Sequence, residues 1–193
     1  MQIARRLFVV PLANNDHGKT TMLRALVNQG QGSALKANHK KNRSLTSPWG
    51  RPIDAYVFGR SYQEMEKKPH GPYGSVEAAL DGNDPHWRTR ELVIMPSHAY
   101  GRTYGIKNSN GPDDIDQMID AAHGAGFDAV CATIIITGET EDDRTKFADI
   151  WRKPWDVRWT IPNPWVSEPE SPNGQLEALG RDLWTWICRA LAS

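Results

Sequence analysis

Gly18, Lys19 and Thr20, in the stretch "NNDHGKTT" (14–21), are residue types that bind a polyphosphate when a strand precedes them and a helix follows. A turn here lets backbone N–H groups of Asn15, Asp16, His17, Gly18, Lys19, Thr20 and Thr21 curl around phosphate oxygens, aided by the helix N-terminus. Lys19 would meet the terminal phosphates, and the Thr20 hydroxyl would hold Mg²⁺ beside them. The usual pattern opens with glycine, four residues before the Gly-Lys-Thr; Ala13 stands there instead. Alanine is acceptable at that place where φ stays negative.

The flanking sequence supplies the required context. "LFVVPLA" reads as a buried strand, and Lys19 to Gln29 as a helix ended by Gly30. Further strands are expected in "IDAYVFG" (53–59), "ELVIMP" (91–96), "DAVCATIIIT" (128–137) and "VRWTIP" (157–162). Helical patterns alternate with them: "SVEAAL" (75–80), "DDIDQMIDAAHG" (113–124), and a closing helix with Leu176, Leu179, Leu183, Ile187 and Leu191 on one face. This alternation predicts an α/β fold, a five-stranded parallel sheet wrapped by helices, in a single domain over 1–193. Ligands of such sheets sit beyond the strands' carboxyl ends, which is where Gly18 to Thr21 fall.

The 23 basic and 23 acidic residues balance, so no global field directs the chain to nucleic acid or a membrane. No apolar run approaches membrane-spanning length. Cys131 and Cys188 lack any metal-ligand spacing and are expected as core thiols of a cytoplasmic protein.

"NDHGKTTMLRAL" resembles the phosphate loop of translational GTPases over about a dozen residues. Neither D-x-x-G after the third strand nor a guanine-reading N-K-x-D accompanies it. Across most of the chain the order of elements is similar to that of P-loop kinases of nucleotides and polynucleotides. That resemblance implies the P-loop NTPase fold, an acceptor-side residue after the second strand, an arginine after the third and an arginine-bearing lid after the fourth. The matching stretches are "GRSYQE", "SHAYGRT" and "GETEDDRTKFADIWRK", with the lid over 138–155. Lys19, Arg102 and Arg144 would then stabilise the transferring phosphoryl group, with Arg60 and Arg152 near by. The base position of polynucleotide kinases is occupied by Ser61, so Glu64, one turn on, is the candidate base; Asp81 and Asp84 are further candidates. The third strand ends "IMPSH" without an acid, which leaves Ser97 or His98, or an acid from elsewhere, to face Mg²⁺ through water.

For the acceptor, the cations of "KANHKKNR" (36–43) form a patch that could meet phosphates, although helix 1 carries the chain away from the site before it. Six of eight tryptophans lie at Trp151 or beyond. Trp151 and Trp155 could cover adenine or a flipped base, and Trp165 could contact ATP, while Trp184 and Trp186 fit a helix rim. In size and element order the chain resembles the small phage kinases that phosphorylate 5-hydroxymethyluracil in DNA. The resemblance implies ATP and Mg²⁺ as cofactors, DNA or a nucleotide as acceptor, and the host cytoplasm as location. A kinase of free nucleosides or nucleotides, a P-loop ATPase or switch, and a non-catalytic nucleotide-binding module are the alternatives.

Overall fold

A computed structural model describes residues 5–13, 18–31, 41–66, 72–99, 113–136, 141–163 and 173–193. Its centre is β1 (Leu7–Ala13), in which every residue is buried. Phe8, Val10 and Leu12 enter one core cluster, and Leu7, Val9 and Ala13 enter another. Period-two alternation with both faces apolar is what a strand covered by helices on two sides requires. β6 (Asp128–Ile136) repeats the pattern, with Ala129 and Cys131 facing one way and Val130, Ala132 and Ile134 the other.

The remaining strands are β2 (Lys41–Thr46), β3 (Pro52–Val57), β4 (Leu92–Ile94), β5 (Ser97–His98) and β7 (Val157–Asn163). The sheet order is β2-β3-β4-β1-β6-β7, with β5 pairing β1 beyond the end of β4. The five expected strands are present and mutually parallel. The expectation of a purely parallel five-stranded sheet needs correction, because β2 adds an antiparallel edge and β5 a short extension. β2 escapes a hydrophobicity reading: its sequence is "KNRSLT", and Leu45 is buried between exposed Ser44 and Thr46.

Among the described residues six α-helices complete the layers. α1 (Lys19–Gln31) and α6 (Asn173–Ala192) cover one face with Met22, Leu26, Leu183 and Ile187. α2 (Tyr62–Met65), α3 (Val76–Asn83), α4 (Asp114–Gly124) and α5 (Glu141–Arg152) cover the other, contributing Tyr62, Leu80, Met118 and Phe147. α4 begins where Asp113 accepts hydrogen bonds from the Ile115 and Asp116 N–H groups, satisfying two orphan donors of the first turn. It stops at Gly126, whose φ of 76° is open to glycine at little cost. Among the described residues no helix is long and apolar enough to cross a membrane.

The chain leaves β1 toward β3 on one side and leaves β6 toward β7 on the other. β1 and β6 are neighbours. Their diverging connections make the carboxyl end of β1 the crevice where open α/β sheets bind ligands.

Candidate functional site

β1 runs extended through Ala13, which pairs with His98 and is wholly buried. The missing glycine is thereby explained, since an extended backbone is open to any residue. Gly18, by contrast, has φ of 85°, and a Cβ there would stand 2.4 Å from Cδ1 of Leu176 in α6. The backbone favours glycine, and a side chain there would also have to displace the end of Leu176. The Gly18 carbonyl accepts the Met22 N–H at 3.0 Å, opening α1.

Lys19 is buried, and its Nζ donates to the Ala13 carbonyl at 3.1 Å. The Ala99 N–H donates to that same oxygen at 3.0 Å, tying the lysine to the end of β5. Thr20 is exposed and Thr21 half-buried at the helix start. No acidic residue lies in the first turn of α1, so no side chain there cancels the pull of its N-terminus on an anion. Asn15, Asp16, His17, Arg102 and Trp165 lie outside the described residues. Arg144 belongs to the first turn of α5, at the carboxyl end of β6.

Glu64 sits on α2, and its carboxylate accepts from the Ser61 N–H at 2.8 Å and the Ser61 hydroxyl at 2.9 Å. Those bonds hold the start of α2, a capping arrangement visible in the spacing of Ser61 and Glu64. Asp81 and Asp84 serve structure at the opposite edge. Asp81 accepts from Trp87 Nε1 at 2.8 Å and pairs with Arg88; buried Asp84 pairs with Arg90 at 2.9 Å, just before β4 begins. Neither stands where a base for chemistry near Lys19 must be.

α5 also runs toward that far edge. Its Phe147 and Ile150 are in the core, as is Trp155, whose Nε1 donates to the Ile150 carbonyl at 2.9 Å. Exposed Trp151 and Arg152 end the helix, where Arg152 pairs with Asp149 at 3.1 Å. The reading of Trp155 as a cover for adenine or a flipped base is corrected, because its ring is buried in the core; Trp151 is exposed at the end of α5. Trp184 is core and Trp186 stacks on Trp159 with ring centres 6.3 Å apart. Cys131 and Cys188 are buried free thiols in opposite layers, as expected for core residues.

Sequence reasoning missed a buried polar group beside β5. Gln63 of α2 is fully enclosed; its Nε2 donates to Ser97 Oγ at 2.9 Å and to Asp114 Oδ2 at 3.1 Å. Its Oε1 accepts the His98 N–H at 3.0 Å. The amide orientation is thereby fixed, because a flip would set Oε1 against a carboxylate and NH₂ against an N–H. Burial first, then the nearby carboxylates Glu66 and Asp114, hold the Tyr62 phenol above its ordinary range, so it stays neutral. The one available sequence signal was the run Asp113-Asp114 before a helix, which needs a single cap.

The basic patch is also partly placed. Lys41 opens β2 opposite Val57, the carboxyl end of β3, and Arg43 follows opposite Ala55. β2 is the outer strand of the sheet, with β3 and β4 between it and β1.

No protein-family model matches the chain, and no curated protein matches it.

Proposed function

We propose that this chain is an ATP-dependent phosphotransferase of P-loop type that moves the γ-phosphate to a hydroxyl on a nucleic-acid base. The observation that carries the reading is the Gly18–Thr21 turn. It follows the central strand, opens a helix free of first-turn acids, and lies at the crevice between diverging connections. Lys19 supplies the cation for the terminal phosphates. Arg102 and Arg144 are proposed to surround the transferring group.

Mg²⁺ fits this donor set in the way it serves nucleotide enzymes. Among the described residues no three His, Cys, Asp or Glu side chains converge on one point. Mg²⁺ needs no such cage, since it keeps waters and takes phosphate oxygens with one or two protein groups. The Thr20 hydroxyl is proposed as one of these. When bound, the ion would neutralise charge developing on the phosphate oxygens.

The nucleic-acid acceptor is proposed from the cations of 36–43, of which Lys41 begins the edge strand opposite Val57, the carboxyl end of β3. The test is transfer from γ-labelled ATP with Mg²⁺ to nucleosides, nucleoside monophosphates, 5′-hydroxyl oligonucleotides, ordinary DNA and DNA containing 5-hydroxymethyluracil. Label is expected on the hydroxymethylated DNA alone, and Lys19→Ala is expected to lower transfer at least about a hundredfold. Label on a free nucleotide would overturn the acceptor. Free phosphate with no labelled acceptor would overturn the kinase reading in favour of an ATPase.

A further inference from the structure

The end of the sheet opposite the phosphate turn holds a cavity of about 340 Å³, walled by the end of α1, the β2–β3 turn and α6. β3 begins at Pro52 beside Thr46, so this cavity lies at the amino ends of the parallel strands. The length of α1, roughly 20 Å for 13 residues, separates it from Lys19. We propose that the cavity is a binding site for a small uncharged cyclic amide, whose carbonyl oxygen accepts the indole N–H of Trp184. This site stands independently of the nucleotide site.

The indole points to a ligand. Trp184 is 1% exposed, and its Nε1 is, among the described residues, the one buried side-chain nitrogen or oxygen without a hydrogen-bond partner. An unsatisfied buried donor costs about 1–3 kcal/mol, and such groups are few in folded proteins. The same ring forms part of the cavity wall. Its Cζ2 approaches Gly30, another wall residue, where a Cβ would stand 3.1 Å from it. Cζ2 and Nε1 are bonded to one ring carbon, so the edge turned toward Gly30 is the edge that carries the N–H. With glycine there, no side chain of that residue covers it.

Polarity selects the class of ligand. The described residues that line the cavity include no Lys, Arg, His, Asp or Glu, so an ion entering it would lose hydration without a counter-charge. An indole N–H only donates, and the ligand must therefore bring an acceptor. The carbonyl end of α1 reaches the wall at Gly30 and Gln31 with no basic residue in its last turn. Its partial negative charge suits a ligand N–H. Thr185 Oγ1, on the opposite wall, donates to the Arg181 carbonyl at 3.0 Å and keeps a lone pair for a second donor. A small neutral molecule with acceptor and donor side by side is a cyclic amide, in which C=O and N–H are cis. The turn that carries Pro48 is already fixed, because the Gly50 N–H donates to the Ser47 carbonyl at 2.9 Å and the Arg51 N–H to Ser47 Oγ at 2.9 Å. A preformed cavity at the small end of the ligand-site range suits a single ring.

The probe is δ-valerolactam, titrated into protein labelled in the tryptophan indole nitrogens while the indole N–H resonances are followed. The Trp184 resonance, identified by its loss in Trp184→Phe, is expected to move downfield and to saturate at millimolar lactam, the scale for a ligand of about seven heavy atoms. The N-methyl lactam keeps the acceptor and loses the donor, and is expected to bind severalfold more weakly. Thr46→Phe fills the cavity from an exposed wall position and is expected to remove the shift without unfolding the chain. A Trp184 resonance that stays in place up to about 100 mM lactam would overturn the proposal, leaving water as the partner of the indole. Equal shifts in wild type and Thr46→Phe would overturn it as well, since the lactam would then bind elsewhere. Should Trp184→Phe not fold, through-bond assignment identifies the resonance, and the comparison with Thr46→Phe decides in the same way.

Discussion

Gly18 and Ala13 show how differently two positions of one motif constrain the chain. Ala13 is the last residue of a paired strand and needs no special backbone. Gly18 needs φ of 85° and an empty Cβ position against Leu176. Gly18→Ala is therefore expected to destabilise the protein by roughly 1–3 kcal/mol, from a left-handed alanine and from overlap with the leucine. The two causes can be separated. Leu176→Ala removes the overlapping atoms at its own cavity cost, and the double variant should be less destabilised than the sum of the singles. Strict additivity in urea unfolding would show that backbone strain alone is responsible. Leu176 of α6 stands against Gly18, so if the proposed nucleotide site holds, Leu176→Ala is expected to weaken ATP binding severalfold.

At the scale of elements, the packing of α1 on α6 depends on another glycine. A Cβ at Gly180 would lie 2.3 Å from the Met22 carbonyl and 2.9 Å from Ala25 Cβ. The helices approach so closely that even a methyl group must push backbone away from backbone. Gly180→Ala gains helix propensity, about 1 kcal/mol, yet is expected to lower stability overall, because overpacking costs roughly 1–3 kcal/mol and displaces the helix that begins at Lys19. A melting temperature at or above wild type would refute the close-packing argument. These two helices were plain in the sequence, as were the five parallel strands, since elements buried on a broad face write long apolar patterns. β2 was hidden because an edge strand made of "KNRSLT" buries little, and β5 because two residues carry no period. The candidate site was legible only where the chain is local: Gly18 through Thr21 are contiguous, and the Ser61–Glu64 cap has a fixed spacing. Gln63, Ser97 and Asp114 belong to three elements, and only tertiary placement turns them into one hydrogen-bonded group. Trp155 misled for the complementary reason, since a tryptophan among cations reads as surface until the neighbouring helix buries it.

For the whole molecule, the two-sided core sets how stability responds to alkali. Burial pushes the Cys131 thiol from 9.0 up to about 12, against a smaller opposing effect of its hydrogen bond with Thr133. Cys188, in the opposite layer, is likewise pushed from 9.0 to about 12 by burial. Tyr56 rises from 10.0 to about 12, by burial first and then the Asp84 and Tyr73 charges, with Arg90 opposing. In each case the folded protein keeps a proton that the unfolded chain gives up at lower pH. Between about pH 9 and 12 the native state binds more protons than the unfolded state, so stability must fall as pH rises. The contribution of these groups is complete below the unfolded values and disappears as pH passes through the folded ones. Urea midpoints are therefore expected to hold steady from pH 7 to 9 and then fall toward pH 12. Replacing both cysteines by alanine should flatten the first part of that fall, leaving the tyrosine part from pH 10 upward. A midpoint unchanged to pH 11 in the wild-type chain would mean that the thiols ionise as readily folded as unfolded, and that water reaches both faces of the sheet. Because Cys131 lies in β6 beside β1, such access would reach the strand pair on which the Gly18–Thr21 turn is mounted.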